Sequence, residues 1–274
     1  MTATLVREPA TSPPTGFSRL MRAEWTKIRS VRSTVWSLVL LVAVTWGSTA
    51  LFVGLGAANW DHTDRADQAK ILADPTGMIL GSGSLLGQLT MCVLGALVIT
   101  TEYSSGTIVG SLLAVPQRRS MLAAKAVVFG LLTLLVGVMV SFGSFFIGEA
   151  LFAHIAPVSL GDPGVFRAVV GGGLYLAMVG LFAMAIGAVV RHTAAAIAGV
   201  IGFVLVLAPM AQMLPGSLGK HVHAYLPTEA GRTIAQVVPA PGDLLTPWQG
   251  FGVFTLWTAV LLALATVLIE RRDA

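Results

Sequence analysis

Charge is scarce in this chain. Lys, Arg, Asp and Glu make up 11% of its 274 residues, where a soluble domain carries about 25%. Seventeen cations and thirteen anions cannot dress a water-soluble fold of this length without leaving large apolar patches open. Cysteine is nearly absent, with Cys92 alone, which excludes a disulfide-stapled scaffold. A hydrophobic content of 55% excludes intrinsic disorder. No G-x-x-x-x-G-K-S/T sequence occurs. The nearest Gly-Lys pair, Gly219-Lys220, is followed by His221, so this chain is not expected to hydrolyse ATP. H-E-x-x-H is missing too, and His221-x-His223 has no further ligand close by, so no metal site is expected. His154, His192, His221 and His223 fall outside the apolar runs, which leaves an intramembrane hydrolase without a base beside its serine. What remains is an integral membrane protein.

Six long apolar runs are present, at about 34–58, 79–101, 121–148, 166–190, 194–214 and 248–269. Each reaches the roughly 20 residues that cross a bilayer as a helix, so the expected fold is all-α and polytopic, one six-span domain over 34–269. Lys125, Glu149 and Arg167 lie near run ends and are expected to anchor at the interface by snorkelling. Twelve of the seventeen cations collect on one side: those before the first run, Arg118, Arg119, Lys125, Arg191 and the tail. Arg65, Lys70, Arg167, Lys220 and Arg232 fall on the other. By the positive-inside rule both termini are cytoplasmic. The net charge of +4 is thereby explained as topology, with no nucleic-acid partner implied. Residues 1–16, with Pro9, Pro13 and Pro14, read as a disordered cytoplasmic tail and 270–274 as a second short one.

Two segments stand out on the cytoplasmic side. Over 17–33, Phe17, Leu20, Met21, Trp25, Ile28 and Val31 gather on one arc of a helix, while Arg19, Arg22, Lys27 and Arg29 take the other. That pattern predicts an amphipathic helix along the inner leaflet. Glu24 falls on the apolar arc and needs a partner, either a basic neighbour or another protein's surface. The inner loop 102–120 has an apolar middle of Ile108, Val109, Leu112, Leu113 and Val115, with Ser104 or Ser105 as a cap and Pro116 as a stop. A short helix with such a face either docks into another protein's groove or folds back on the membrane.

The stretches EWTKIRSVRSTVW at 24–36 and EYSSGTIVGSLLAVPQRRSMLAAK at 102–125 resemble the permease subunits of type-2 ABC exporters, particularly the six-span bacterial ones. The likeness runs through the whole chain. It implies a cell-membrane permease whose 102–120 loop couples to a separate cytoplasmic ATPase, with ATP and Mg held by that partner and no cofactor by this chain. It also implies a second permease subunit. The coupling residues implied are Glu102, Gly106, Thr107, Ile108, Leu112, Pro116, Arg118 and Arg119, supported by Glu24, Trp25, Lys27 and Arg29 of the interfacial helix.

The translocation path is less marked. Gln88, Thr90, Ser141, Ser144 and Gln212 are polar within the runs and either line a path or bond between helices. Gly83 with Gly87, Ala183 with Gly187 and Ala195 with Gly199 permit close packing, within one subunit or at a dimer seam. The outer segment 215–247 carries Pro215, Pro227, Pro239, Pro241 and Pro247. They forbid one long helix and leave room for partial re-entry into the membrane. A non-transporting membrane scaffold would share the six runs but would have no need of an apolar, basic-ended inner loop.

Overall fold

The computed structural model describes residues 16–107, 118–239 and 243–271. Eleven α-helices are described: α1 Phe17–Ser30, α2 Arg32–Ala58, α3 Arg65–Ala73, α4 Pro75–Ser104, α5 Arg118–Phe152 and α6 Val165–Val190, then α7 Thr193–Gly202, α8 Ala208–Gln212, α9 Gly216–Tyr225, α10 Pro227–Arg232 and α11 Pro247–Arg271. No strand occurs among the described residues. Six helices are long and apolar enough to cross a membrane: α2, α4, α5, α6, the Thr193–Gln212 stretch that joins α7 to α8, and α11.

The spans begin where local chemistry allows. Asp74 caps α4 by accepting the Gly77 N–H at 2.7 Å, with Pro75 just inside the helix, where its missing N–H costs nothing. Four residues are thereby added ahead of the run seen in the sequence. In the fifth span Phe203–Leu207 forms a π-turn, and the Ala208 N–H reaches back to the Phe203 carbonyl. Pro209 follows immediately. Its ring displaces the carbonyl four residues earlier, so the ladder widens by one residue instead of breaking. The segments 59–78 and 215–235 are more helical than loops. Residues 59–78 hold a 3-10 turn and α3, and 215–235 hold α9 and α10, with Pro215, Pro227 and Pro247 each at the start of a helix.

α6 is the centre of the bundle. Two thirds of its apolar window is buried within the chain, and 56% of α4's, against 22–33% for the other four. It packs against α4, α5, α7 and α11, while α2 packs on α4 and α5. Small residues make the crossings close: a methyl at Gly95 would strike the Gly180 carbonyl, and one at Gly137 the Gly173 carbonyl. The small-residue pairs resolve in the same way. Gly83 and Gly87 receive Thr45 and Thr49 of α2, and Gly187 lies against Ile99 and Thr100 of α4, so both pairs serve packing within the chain. Gly199 faces open space among the described residues.

Candidate functional site

Because the spans alternate in direction, the ends of α1, α4, α6 and α11 and the starts of α2, α5 and α7 share one end of the bundle. This end carries most of the cations. On α1 the buried positions are Leu20, Glu24 and Ile28, one helical turn apart, and they face α5. Glu24 is thus at the middle of the buried face, whereas Phe17 and Trp25 are exposed. The apolar arc read from the sequence is rotated, because the carboxylate has found a partner inside the protein.

That partner is Lys125, which corrects its expected role as an interface anchor. Lys125 is 1% exposed, and its Nζ donates to Glu24 Oε2 at 2.5 Å and to Glu102 Oε1 at 2.8 Å. Lys27 Nζ donates to Glu24 Oε1 at 2.8 Å and Glu102 Oε1 at 3.3 Å. Two ammoniums and two carboxylates interlock α1, the last turn of α4 and the first turns of α5. An unpaired buried charge costs several kcal/mol, so the four are mutually dependent. Burial pulls the Lys27 ammonium down, but the carboxylates of Glu24 and Glu102 outweigh it and hold its pKa above the ordinary lysine value. Glu102 Oε2 is buried and accepts no hydrogen bond among the described residues. A cavity of about 70 Å³ beside it is lined by Lys27, Thr34, Ser37, Thr101, Glu102 and Lys125, among others.

Glu102 itself belongs to α4, not to a loop, and Arg118 and Arg119 open α5. Ser104 is the last residue of α4. Ser105 is the C-cap, and Gly106 follows with φ +70° and, among the described residues, nothing within 4 Å of where a Cβ would lie. A left-handed residue after the C-cap stops a helix at least cost when it is glycine. Thr107 Oγ1 lies 2.9 Å from Ser105 Oγ. Ile108, Leu112 and Pro116, with the expected short helix between them, lie outside the described residues.

A second set of contacts was not visible in the sequence. Arg118 and Arg191 donate to the Ile269 and Leu268 carbonyls at 3.0 and 3.1 Å, and Arg119 pairs with Glu270. Three guanidiniums therefore meet the last turn of α11, whose orphan carbonyls and dipole favour positive charge. Arg191 sits at φ +59°, the αL stop of α6, with its guanidinium 5.1 Å from the centre of the Tyr103 ring. Arg29 is exposed on α1.

At the opposite end of the bundle a cavity of about 630 Å³ opens between α2, α4, α5 and α6 under α3 and the chain that follows α10. Ser141 and Ser144 line it. Gln88 lies one bond behind, accepting from the lining Tyr175 hydroxyl at 2.8 Å. The remaining polar residues singled out within the runs are elsewhere: Thr90 Oγ1 donates to its own helix at Leu86, and Gln212 is exposed, 2.9 Å from His223 Nε2. Arg167 donates to the Ile234 and Gln236 carbonyls at 3.0 and 2.8 Å, tying α6 to the chain that follows α10 instead of reaching for the interface. Glu149 is half-buried near the end of α5. Among the described residues no three His, Cys, Asp or Glu cluster at metal-binding distances.

Residues 20–209 match a family model described as ABC-2 family transporter protein. That stretch contains the four-charge cluster and the helices that wall the cavity. No curated protein matches the chain.

Proposed function

The chain belongs to the ABC-2 transporter family, and on that premise we propose that it is the permease subunit of an exporter in the cell membrane, driven from its basic end by a separate cytoplasmic ATPase. The spans supply the membrane path and the partner supplies ATP and Mg. In this reading both termini are cytoplasmic, α1 lies at the inner leaflet with Trp25 at headgroup depth, and a second permease subunit completes the path.

The observation that carries the coupling is the Glu24–Lys27–Glu102–Lys125 cluster. It joins the two helices that bracket 105–117 to each other and to α1. A partner that grips the apolar middle of that segment moves α4, α5 and α1 as one body, because separating them strands a buried charge. Nucleotide state then biases the spans through whichever conformation the ATPase grips more tightly. Gly106, Thr107, Ile108, Leu112 and Pro116 form the gripped segment, and Arg118 and Arg119 carry its motion to α11.

The test is Leu112→Asp in the full chain co-expressed with its ATPase. A carboxylate on the docking face is expected to abolish capture of the ATPase while leaving membrane expression intact. Undiminished capture overturns the coupling reading.

A further inference from the structure

The chemistry of the 630 Å³ cavity narrows what it can hold. Its volume is in the range of small-molecule sites, and its wall is mostly apolar, with Leu80, Val140 and Leu176 among the lining. Five hydroxyl-bearing residues interrupt that wall: Thr45, Ser84, Ser141, Ser144 and Tyr175. A hydroxyl has one hydrogen to give and two lone pairs to offer. Four of the five have already given theirs. Thr45 donates to the Leu41 carbonyl at 2.7 Å, Ser84 to the Gly81 carbonyl at 2.8 Å, Ser141 to the Val169 carbonyl at 2.6 Å and Tyr175 to Gln88 Oε1 at 2.8 Å. Ser144 accepts from Thr49 at 3.3 Å and keeps its own hydrogen. Toward a guest the wall therefore acts mainly as an acceptor.

The mouth points the same way. Lys70 and Arg232 line it together with Asp74, but each cation is matched by its own carboxylate, Asp67 at 2.7 Å and Glu229 at 3.0 Å. Asp74 meets no cation at salt-bridge distance among the described residues and accepts instead from the Gly77 and Val238 N–H groups. Those five charges sum to minus one. An anionic guest would meet a net negative rim and a wall of lone pairs, and would lose its hydration for nothing in return.

We propose that this cavity takes a cationic amphiphile, an apolar body bearing a protonated primary or secondary amine together with N–H or O–H groups. The ammonium rests at the mouth beside Asp74, and the neutral donors reach the spent hydroxyls of Thr45, Ser141 and Tyr175. The inference rests on the permease reading only for what happens to the guest afterwards; the site itself stands on the hydroxyl bonding and the charges of the rim.

The test uses the full chain in lipid nanodiscs, with empty nanodiscs as the partition control. The probe is sphingosine, an ammonium and two hydroxyls on one alkenyl chain, and the competitor class is represented by oleate. Saturable binding of sphingosine above the empty-disc signal is expected, with oleate at least tenfold weaker. Tyr175→Phe combined with Ser141→Ala is expected to weaken sphingosine about tenfold. Gly81→Leu, at a lining position where a Cβ meets nothing within 4 Å among the described residues, fills the space without removing a hydroxyl and is expected to weaken it as well. Equal binding of oleate overturns the proposal, as does sphingosine binding unchanged by both variants, or none above the control. Binding that holds while sphingosine fails to stimulate the ATPase of the reconstituted complex keeps the site and overturns the path, whereas loss of binding leaves the Leu112→Asp result untouched.

Discussion

Two ends of one helical bundle solve the burial of polar groups in opposite ways. At the basic end full charges are buried, and they neutralise one another: Lys125 between Glu24 and Glu102, with Lys27 closing the set. At the other end the buried polar groups are neutral hydroxyls that bond to backbone or to one amide and surround open space. Charges demand fixed geometry, because any displacement leaves one of them unpaired in a low-dielectric medium. Hydroxyls satisfied within their own walls make no such demand and tolerate a guest. Rigidity where a motor would pull and permissiveness where a cargo would sit follow from that difference.

The comparison breaks most sharply at Lys125. Lys125→Met strips the central cation and leaves two carboxylates to share Lys27, so a loss of about 3–5 kcal/mol is expected, read by denaturant unfolding in detergent. Pairing it with Glu24→Leu removes one stranded charge and is expected to recover part of that loss. A double variant no more stable than the single one refutes the interlock. Next in size is Arg191→Ala. It removes the bond to the Leu268 carbonyl and the guanidinium over Tyr103, for an expected loss of about 1–2 kcal/mol. Faster amide exchange confined to the last turn of α11 is the signature, and exchange unchanged there removes the guanidinium clamp.

The smallest effect is a titration. The pKa of Lys27 is raised in the folded chain, so its contribution is complete below the ordinary lysine value of about 10.4 and fades as pH climbs through the higher folded value. Because 38% of that side chain is exposed, solvent screening limits the contribution to under about 1 kcal/mol. The stability difference between the wild type and Lys27→Met is expected to shrink at high pH. A difference that grows there inverts the assignment.

Much of the architecture was legible before any coordinates. The six spans stand out because 20 apolar residues have little alternative in water, and the helices start near the prolines that forbid one long outer helix. The sequence shows that Glu24 needs a partner, because a carboxylate on an apolar arc is costly to bury alone. The sequence does not show which residue that partner is. Lys125 lies 101 residues away in sequence and looked like an ordinary interface lysine, since its burial depends on α1 folding back over the start of α5. The same holds for Arg191 and the end of α11, which no spacing connects. Polarity alone marks Ser141 and Ser144 in the sequence, and it marks Thr90 and Gln212 equally. Only the rotation of each helix separates the pair at the cavity from Thr90, bonded within its own helix, and Gln212, exposed and paired with His223.

By itself the sequence determined that this chain spans a membrane six times and gathers its positive charge at one end, because hydropathy and charge act locally and add up along the chain. The tertiary structure decided which charges bury one another, which hydroxyls spend their hydrogens and where space is left between helices. Those outcomes depend on the angle at which one helix face meets another, a quantity that no single helix carries.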